Sequence, residues 1–302
     1  MKKLLLFIAM LCAFAQGAWA QNTLEEEWQE VLAMTQTTSS NWNVLHSGST
    51  TGHWFGSDGN TTYYRLGLNN NIYNFTNYQH DGSGATIHGT VYLYVPTGIT
   101  VNFIGANANG ANGAGAGIEL PLGSKLYLMG EGRVIAEGGD AANGSNGDQG
   151  DDGNWSGDGP WAGSGGAGGN GGGGAGAGIG TRGADGGSGG SKAQTSRKGW
   201  TNEYGEYGHD GSQGGTAQSM GVLMVEQTYG LQVSAKGGAA GSRGGSGGAK
   251  GRDAFKHQTS SYNYSIAGGG GGGGGGFGGK ANDIGTGGPG GGGGGSGSGG
   301  SI

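Results

Sequence analysis

Of the 82 glycines in this chain, 72 lie from Gly105 onward, and one run, Gly268 to Gly276, holds nine in succession. Glycine has no Cβ, so such a stretch cannot build a side-chain core, and it loses more conformational freedom on ordering than any other residue. Two outcomes fit: a flexible tether, or a segment that packs backbone against backbone. Flexible glycine linkers are diluted with serine and lack a period. These tracts have one. Gly144, Gly147, Gly150 and Gly153 fall three apart, as do Gly165, Gly168, Gly171 and Gly174, and again Gly180, Gly183, Gly186 and Gly189. Three is the repeat of an extended left-handed helix of the polyproline II type, which makes no internal hydrogen bonds and must satisfy its N–H and C=O groups on neighbours. Collagen shares the glycine level, but four prolines in 302 residues exclude it. The period favours order, with disorder as the alternative.

The chain opens MKKLLLFIAMLCAFAQGAWA. Two lysines, an apolar run from Leu4 to Phe14, and Ala18 and Ala20 at small-residue positions have the layout of a secretory leader. The expectation is a signal peptide at 1–20 and a mature chain from Gln21, secreted or held at the cell surface. The apolar run is too short to span a bilayer, and no later segment qualifies. The one cysteine, Cys12, falls inside the leader, so the mature chain is expected to carry neither disulfide nor thiol chemistry, with lipid attachment at Cys12 the lesser alternative. The formal net charge is −6, and −8 once Lys2 and Lys3 leave with the leader. Nothing concentrates positive charge, which argues against nucleic acid or anionic membrane as a partner.

Residues 21–104 read as a small β-rich module with one helix. Leu24, Trp28, Val31 and Leu32 follow helical spacing behind a Thr23/Glu26 capping box. From there TTYYRLGL, NNIYNFTNY, TIHGTVYLYV and ITVNFIG are rich in β-branched and aromatic residues and are parted by Asn, Gly and Asp turns, the mark of strands. Residues 105–302 form the glycine-rich region. A unit recurs along the chain: VYLYVPTGITVNFIGANANGANG, IELPLGSKLYLMGEGRVIAEGGDAANGSNG and VLMVEQTYGLQVSAKGGAAGSRGG each give strand, turn, strand and a small-residue glycine tract. The second and third match at VIAEGG (134–139) and VSAKGG (233–238). Repetition of this kind predicts a stacked, solenoid-like architecture.

On VPTGITVNFIG (95–105), LPLGSKLYLMG (120–130) and the two GAGAGI stretches (113–118 and 174–179), the strand part resembles the rungs of right-handed parallel β-helix surface proteins. On GGAGGNGGGGAGAG (165–178), GGSGGAKG (244–251), the nine-glycine run and GGPGGGGGGSGSGG (287–300), the region from Gly105 onward is similar to proteins built on bundles of polyglycine II helices. The nearest pattern is the glycine-rich adhesin at the tip of some phage long tail fibres. The glycine-rich domain of the anaplastic lymphoma kinase receptor, the snow-flea antifreeze proteins and the PE-PGRS surface proteins share parts of it. The likeness implies a mainly β chain in which a short helix and strand repeats lead into a polyglycine II bundle.

Three aromatic, polar segments interrupt the glycine frame: DDGNWSGDGPW (151–161), SRKGWTNEYGEYGHDG (196–211) and DAFKHQTSSYNYS (253–265). They hold Trp155, Trp161, Trp200, Tyr204, Tyr207, His209, Phe255, His257, Tyr262 and Tyr264. In the resembling phage adhesins, aromatic loops between glycine helices form the receptor-binding tip, which implies a tip here that stacks on a glycan or grips a surface protein. The other reading is that these aromatics cap the ends of a bundle with little apolar burial of its own.

Other chemistries have weaker patterns. Asp148, Asp151, Asp152 and Asp158 lack any calcium-loop spacing, and His209 and His257 lack a metal spacing, so neither metal nor cofactor is expected. GxGxxG-like strings arise from glycine abundance alone, and no nucleophilic serine elbow is present. A β-helix lyase or glycosidase would need opposed carboxylates or basic partners that these spacings do not reveal. Ice binding would need flat rows of Thr or Ala, whereas the outward residues are mixed and often charged. The expectation is therefore a non-enzymatic adhesin, with a self-associating matrix or fibre component and a polysaccharide-active enzyme as alternatives.

Overall fold

The computed structural model describes residues 42–45, 53–76, 82–148, 154–156, 159–161, 167–191, 212–216, 218–226, 229–241, 254–255 and 263–264. The leader expected at 1–20, the helix expected around Leu24 to Leu32 and the nine-glycine run lie outside them. Two compact units divide the chain, Met1–Trp42 and Asn43–Ile302. Only Trp42 of the first is described, so all that follows concerns the second.

The protein is mainly β, with parallel sheets and no helix among the described residues. In chain order the strands are β1 (Trp42–Leu45), β2 (His53–Leu66), β3 (Ile72–Thr76), β4 (Ala85–Val95), β5 (Thr100–Ile104), β6 (Ile118–Glu119), β7 (Lys125–Gly130), β8 (Arg133–Glu137), β9 (Asn154–Ser156), β10 (Gly159–Trp161), β11 (Ile179–Gly180), β12 (Val222–Val225), β13 (Gln232–Lys236), β14 (Ala254–Phe255) and β15 (Asn263–Tyr264).

Two parallel sheets organise them. In the first, β4 lies beside β2, β6 and β7 lie beside β4, and β11 and β12 continue from β6 and β7. In the second the order is β13-β8-β5-β3. The chain alternates between the two, so each turn of chain adds one layer to both. In the second sheet β5 lies beside β8 in register, Thr100 to Ile104 against Arg133 to Glu137.

Alternation within each strand decides which side chains meet between the sheets. Ile87, Val91, Leu93 and Val95 of β4, Leu126 and Leu128 of β7, Val101 and Phe103 of β5, and Val134 and Ala136 of β8 form one core with Phe55, Leu66, Tyr73 and Phe75. Phe75 and Phe103, paired in register, stack at 5.1 Å. Tyr73 is fully buried, and its hydroxyl donates toward the Gly67 carbonyl at 2.8 Å. Each of these large apolar side chains contributes about 1.5–3 kcal/mol through burial.

The return from the second sheet to the first is made by glycine tracts, which pack differently. Their amide donors recur at every third residue. Gly168, Gly171 and Gly174 donate to Gly190, Gly187 and Ala184, while Ala142, Ser145 and Asp148 donate to Gly173, Asn170 and Ala167; both sets run antiparallel at 2.8–3.0 Å. Gly138 and Ala141 donate to Lys236 and Ala239 in a parallel pairing with the same spacing. The alanines of the GAGAGI stretches, Ala114, Ala116, Ala175 and Ala177, are fully buried. The intervening glycines face backbone: a Cβ at Gly115 would run into the Gly82 carbonyl, and one at Gly176 into the Gly115 carbonyl. No side chain fits there, so only glycine permits the approach.

Where a tract lacks a backbone partner, a side chain supplies the acceptor. Asp185 Oδ1 accepts from the Gly113 amide at 2.8 Å, Asp140 Oδ1 from Ala239 at 2.7 Å, and Asn170 Oδ1 from Gly189 at 2.8 Å. The polar residues scattered through the tracts thus complete the hydrogen bonding that glycine alone leaves open.

Candidate functional site

The aromatic segments are described in part. Trp155 sits in β9 and Trp161 in β10, an antiparallel pair in which Trp155 lies opposite Pro160 and Trp161 opposite Asn154. Phe255 and Tyr264 sit in a second antiparallel pair, with Ala254 opposite Tyr264 and Phe255 opposite Asn263. The strand β14 lies beside β9. Two segments nearly a hundred residues apart in sequence are therefore brought together. Trp200, Tyr204, Tyr207, His209, His257 and Tyr262 lie outside the described residues, as do Asp151, Asp152 and Asp158. Asp148 is described, and its amide donates to the Ala167 carbonyl at the edge of a glycine pairing. Among the described residues no three His, Cys, Asp or Glu side chains gather as a metal site.

A second set of aromatics, unread in the sequence, lines the outward side of the first sheet. Tyr63, Tyr92 and Tyr127 are in register on β2, β4 and β7. Their rings stack at 5.0 Å and 4.3 Å, tilted by 20° and 10°. Tyr92 and Tyr127 are buried although they point away from the core, so this ladder is a packing feature. The next row carries Arg65, Tyr94 and Met129. Tyr94 donates its hydroxyl to Glu131 Oε2 at 2.8 Å. Burial first, then the hydrogen bond and charge of Glu131, push the Tyr94 phenol up to about 12, with Arg65 pulling the other way. Tyr94 therefore stays a protonated donor at any physiological pH.

The third outward feature is the most exposed. Trp54, 46% exposed, lies flat on His88 with ring centroids 3.9 Å apart and planes 16° apart. His88 Nδ1 is 3.1 Å from Asp58 Oδ1. Behind it, the buried Ser83 and Thr86 donate their hydroxyls to Glu119 Oε2 at 3.3 and 3.5 Å. On the glycine side, Arg182, Ala184, Asp185, Gly215, Thr216 and Gln218 line an open cavity of about 190 Å³. Its lining is as polar as it is apolar, unlike the predominantly apolar lining of a small-molecule site. The Arg182–Asp185 ion pair at 3.4 Å crosses it, and both side chains are exposed.

The tyrosine ladder had a faint sequence signal: a tyrosine recurs in YYRL, VYLYV and KLYLMG. The Trp54 cluster had none, since it joins residues across strands through a bulge. No described helix is long and apolar enough to cross a membrane. Comparison with family models, with curated protein sequences and with solved structures returns no match.

Proposed function

We propose that this chain is a secreted or surface-exposed binding protein without enzymatic activity, an adhesin whose aromatic loops are carried on a glycine-rich scaffold and recognise a glycan or a surface protein. The scaffold in this reading is a parallel β-solenoid that passes into a polyglycine II bundle. The three-residue spacing of amide donors between tracts supports the bundle. The layer-by-layer growth of two parallel sheets supports the solenoid.

The observation that carries the functional reading is the meeting of β9 with β14. It joins the strands of Trp155 and Phe255, drawn from separate interruptions of the glycine frame. Loops mounted on a rigid frame can present flat aromatic faces with little entropy to lose on binding. Replacing Trp155, Trp161, Trp200 and Tyr204 together by Ala is expected to abolish adhesion to cells or immobilised glycans while the far-UV spectrum and melting temperature stay unchanged. Retained adhesion in that variant would remove the assignment.

A structural role is the second reading, favoured by one observation. Among the described residues β12 and β13 each end their sheet, and the outward side of β13 is exposed. An open parallel edge is a template for adding another chain. Concentration-dependent growth in light scattering would favour a fibre or matrix component over an adhesin.

A further inference from the structure

The outer sides of the two sheets differ. On the first, Tyr92 and Tyr127 are buried, whereas on the second the outward side of β8 and β13 is open, with Arg133, Glu137, Gln232, Ser234 and Lys236 all exposed. Alternation explains the second case. Val134 and Ala136 of β8 take the core side, which sends Arg133, Ile135 and Glu137 outward at steps of about 6.6 Å. The parallel register sets each beside its counterpart on β5: Arg133 beside Thr100, Ile135 beside Asn102, and Glu137 beside Ile104, itself 38% exposed. Asn102 is occupied, its Nδ2 donating to Asn74 Oδ1 at 2.7 Å. Arg133 and Glu137 are not: among the described residues neither carries an ion pair or a side-chain hydrogen bond.

The strand β8 thus shows a cation, an apolar side chain and an anion in line on an open face. That order is complementary to its own reverse. A second copy, turned half a circle about the row of Asn102, Ile135 and Ser234 and laid on this face, sets each Arg133 against Glu137 of the other copy and Ile135 against Ile135. Faces packed in this way lie about 10 Å apart, within the joint reach of an arginine and a glutamate. Lys236 then falls opposite the uncharged Gln232, so β13 sets no like charges directly against each other. The other half-turn, about the strand direction between β5 and β8, lays β8 on β5. It would press Arg133 on Thr100 and Glu137 on Ile104, leaving both charges desolvated without a partner. The charges therefore select the first arrangement.

We propose that the outward side of the second sheet binds a second copy of this chain, in a two-fold dimer held by reciprocal Arg133–Glu137 contacts around Ile135. Four strands about 4.8 Å apart and five residues long give a flat area of roughly 300 Å², below the ~800 Å² per partner of a stable complex, so the dimer is weak and reversible. A two-fold contact closes at two copies, unlike growth from an open strand edge, and this one does not depend on the aromatic loops.

The test is sedimentation of the full chain over a concentration series from micromolar to millimolar. A monomer–dimer equilibrium that stops at two copies is expected. Arg133→Glu and Glu137→Arg each set like charges face to face, so each should weaken dimerisation at least tenfold with the melting temperature unchanged. The two changes combined should restore it to within a few-fold. Mixing the two single variants should give a heterodimer, because a face with two acids then meets a face with two bases. The restored and mixed pairs carry the test if one single variant is destabilised. A chain that stays monomeric throughout overturns the proposal and leaves the face to another partner. It is also overturned by a dimer that both single variants leave unchanged, or by a combined variant and a mixture that both remain monomeric. Assembly that grows past two copies and ignores Arg133 and Glu137 would overturn it in favour of the open strand edge.

Discussion

The two sheets and the glycine tracts belong to the same turns of chain, yet they cohere by opposite means. Between the sheets, Phe103, Leu126, Leu128 and Val134 fill space with side chains, and the backbone is satisfied in regular ladders. Along the tracts, Gly115 and Gly176 leave no room for a Cβ, and backbone meets backbone at a three-residue spacing. The first mode tolerates a change of shape by leaving a cavity. The second has no slack, because the atom opposite a glycine is a carbonyl that cannot rotate away.

That contrast can be broken most sharply by adding atoms to a tract. Gly176→Val is expected to prevent the tract from closing and to yield no folded chain. Gly215→Ala, whose nearest neighbour would be 3.3 Å away, should shift stability by less than about 1 kcal/mol. Equal tolerance at the two positions, read by yield of folded protein and thermal unfolding, would mean that the tracts do not cohere through close backbone contact. Removing atoms from the sheets should be milder than the valine insertion. Leu128→Ala is expected to cost about 2–5 kcal/mol in denaturant unfolding while the chain still folds.

Smaller effects sharpen the picture at the margins. Asp140→Ala removes the acceptor of the Ala239 amide and should cost about 1–2 kcal/mol, with Asp140→Asn recovering part because it keeps an oxygen there. The smallest effect is expected from His53, whose ring packs 4.5 Å from Phe55. Burial lowers its pKa below the ordinary 6.5. Below that value the unfolded chain binds a proton that the folded chain resists, so stability falls as the pH drops through 6.5 toward the lowered value. His53→Phe should flatten that decline in melting temperature between pH 7.5 and pH 5.

Much of this was legible in the strands themselves. Alternation in TIHGTVYLYV separates Ile87, Val91, Leu93 and Val95 from His88, Tyr92 and Tyr94, as the core confirms. The match between VIAEGG and VSAKGG has a direct counterpart: Val134 to Glu137 lie beside Val233 to Lys236, residue for residue. Gly168, Gly171 and Gly174, three apart in the sequence, each donate an amide to the neighbouring tract. The outward clusters could not be read in the same way. Stacking of Tyr63, Tyr92 and Tyr127 depends on how many residues each turn of chain takes to come back. The union of Trp54, His88 and Asp58 depends on a bulge whose only trace is two glycines, Gly56 and Gly89, thirty-three residues apart.

The sequence by itself determined the local choices: extended strands where β-branched and aromatic residues alternate, and glycine where no side chain could be accommodated. These follow from sterics and burial within a few residues of each position. Tertiary structure alone decided the neighbours. It placed an exposed Trp54 in line with Thr86 and Glu119, and it set β9 beside β14. Register between distant turns of chain is fixed by the packing of the whole assembly of strands and tracts, a sum over many weak contacts that no single stretch of sequence contains.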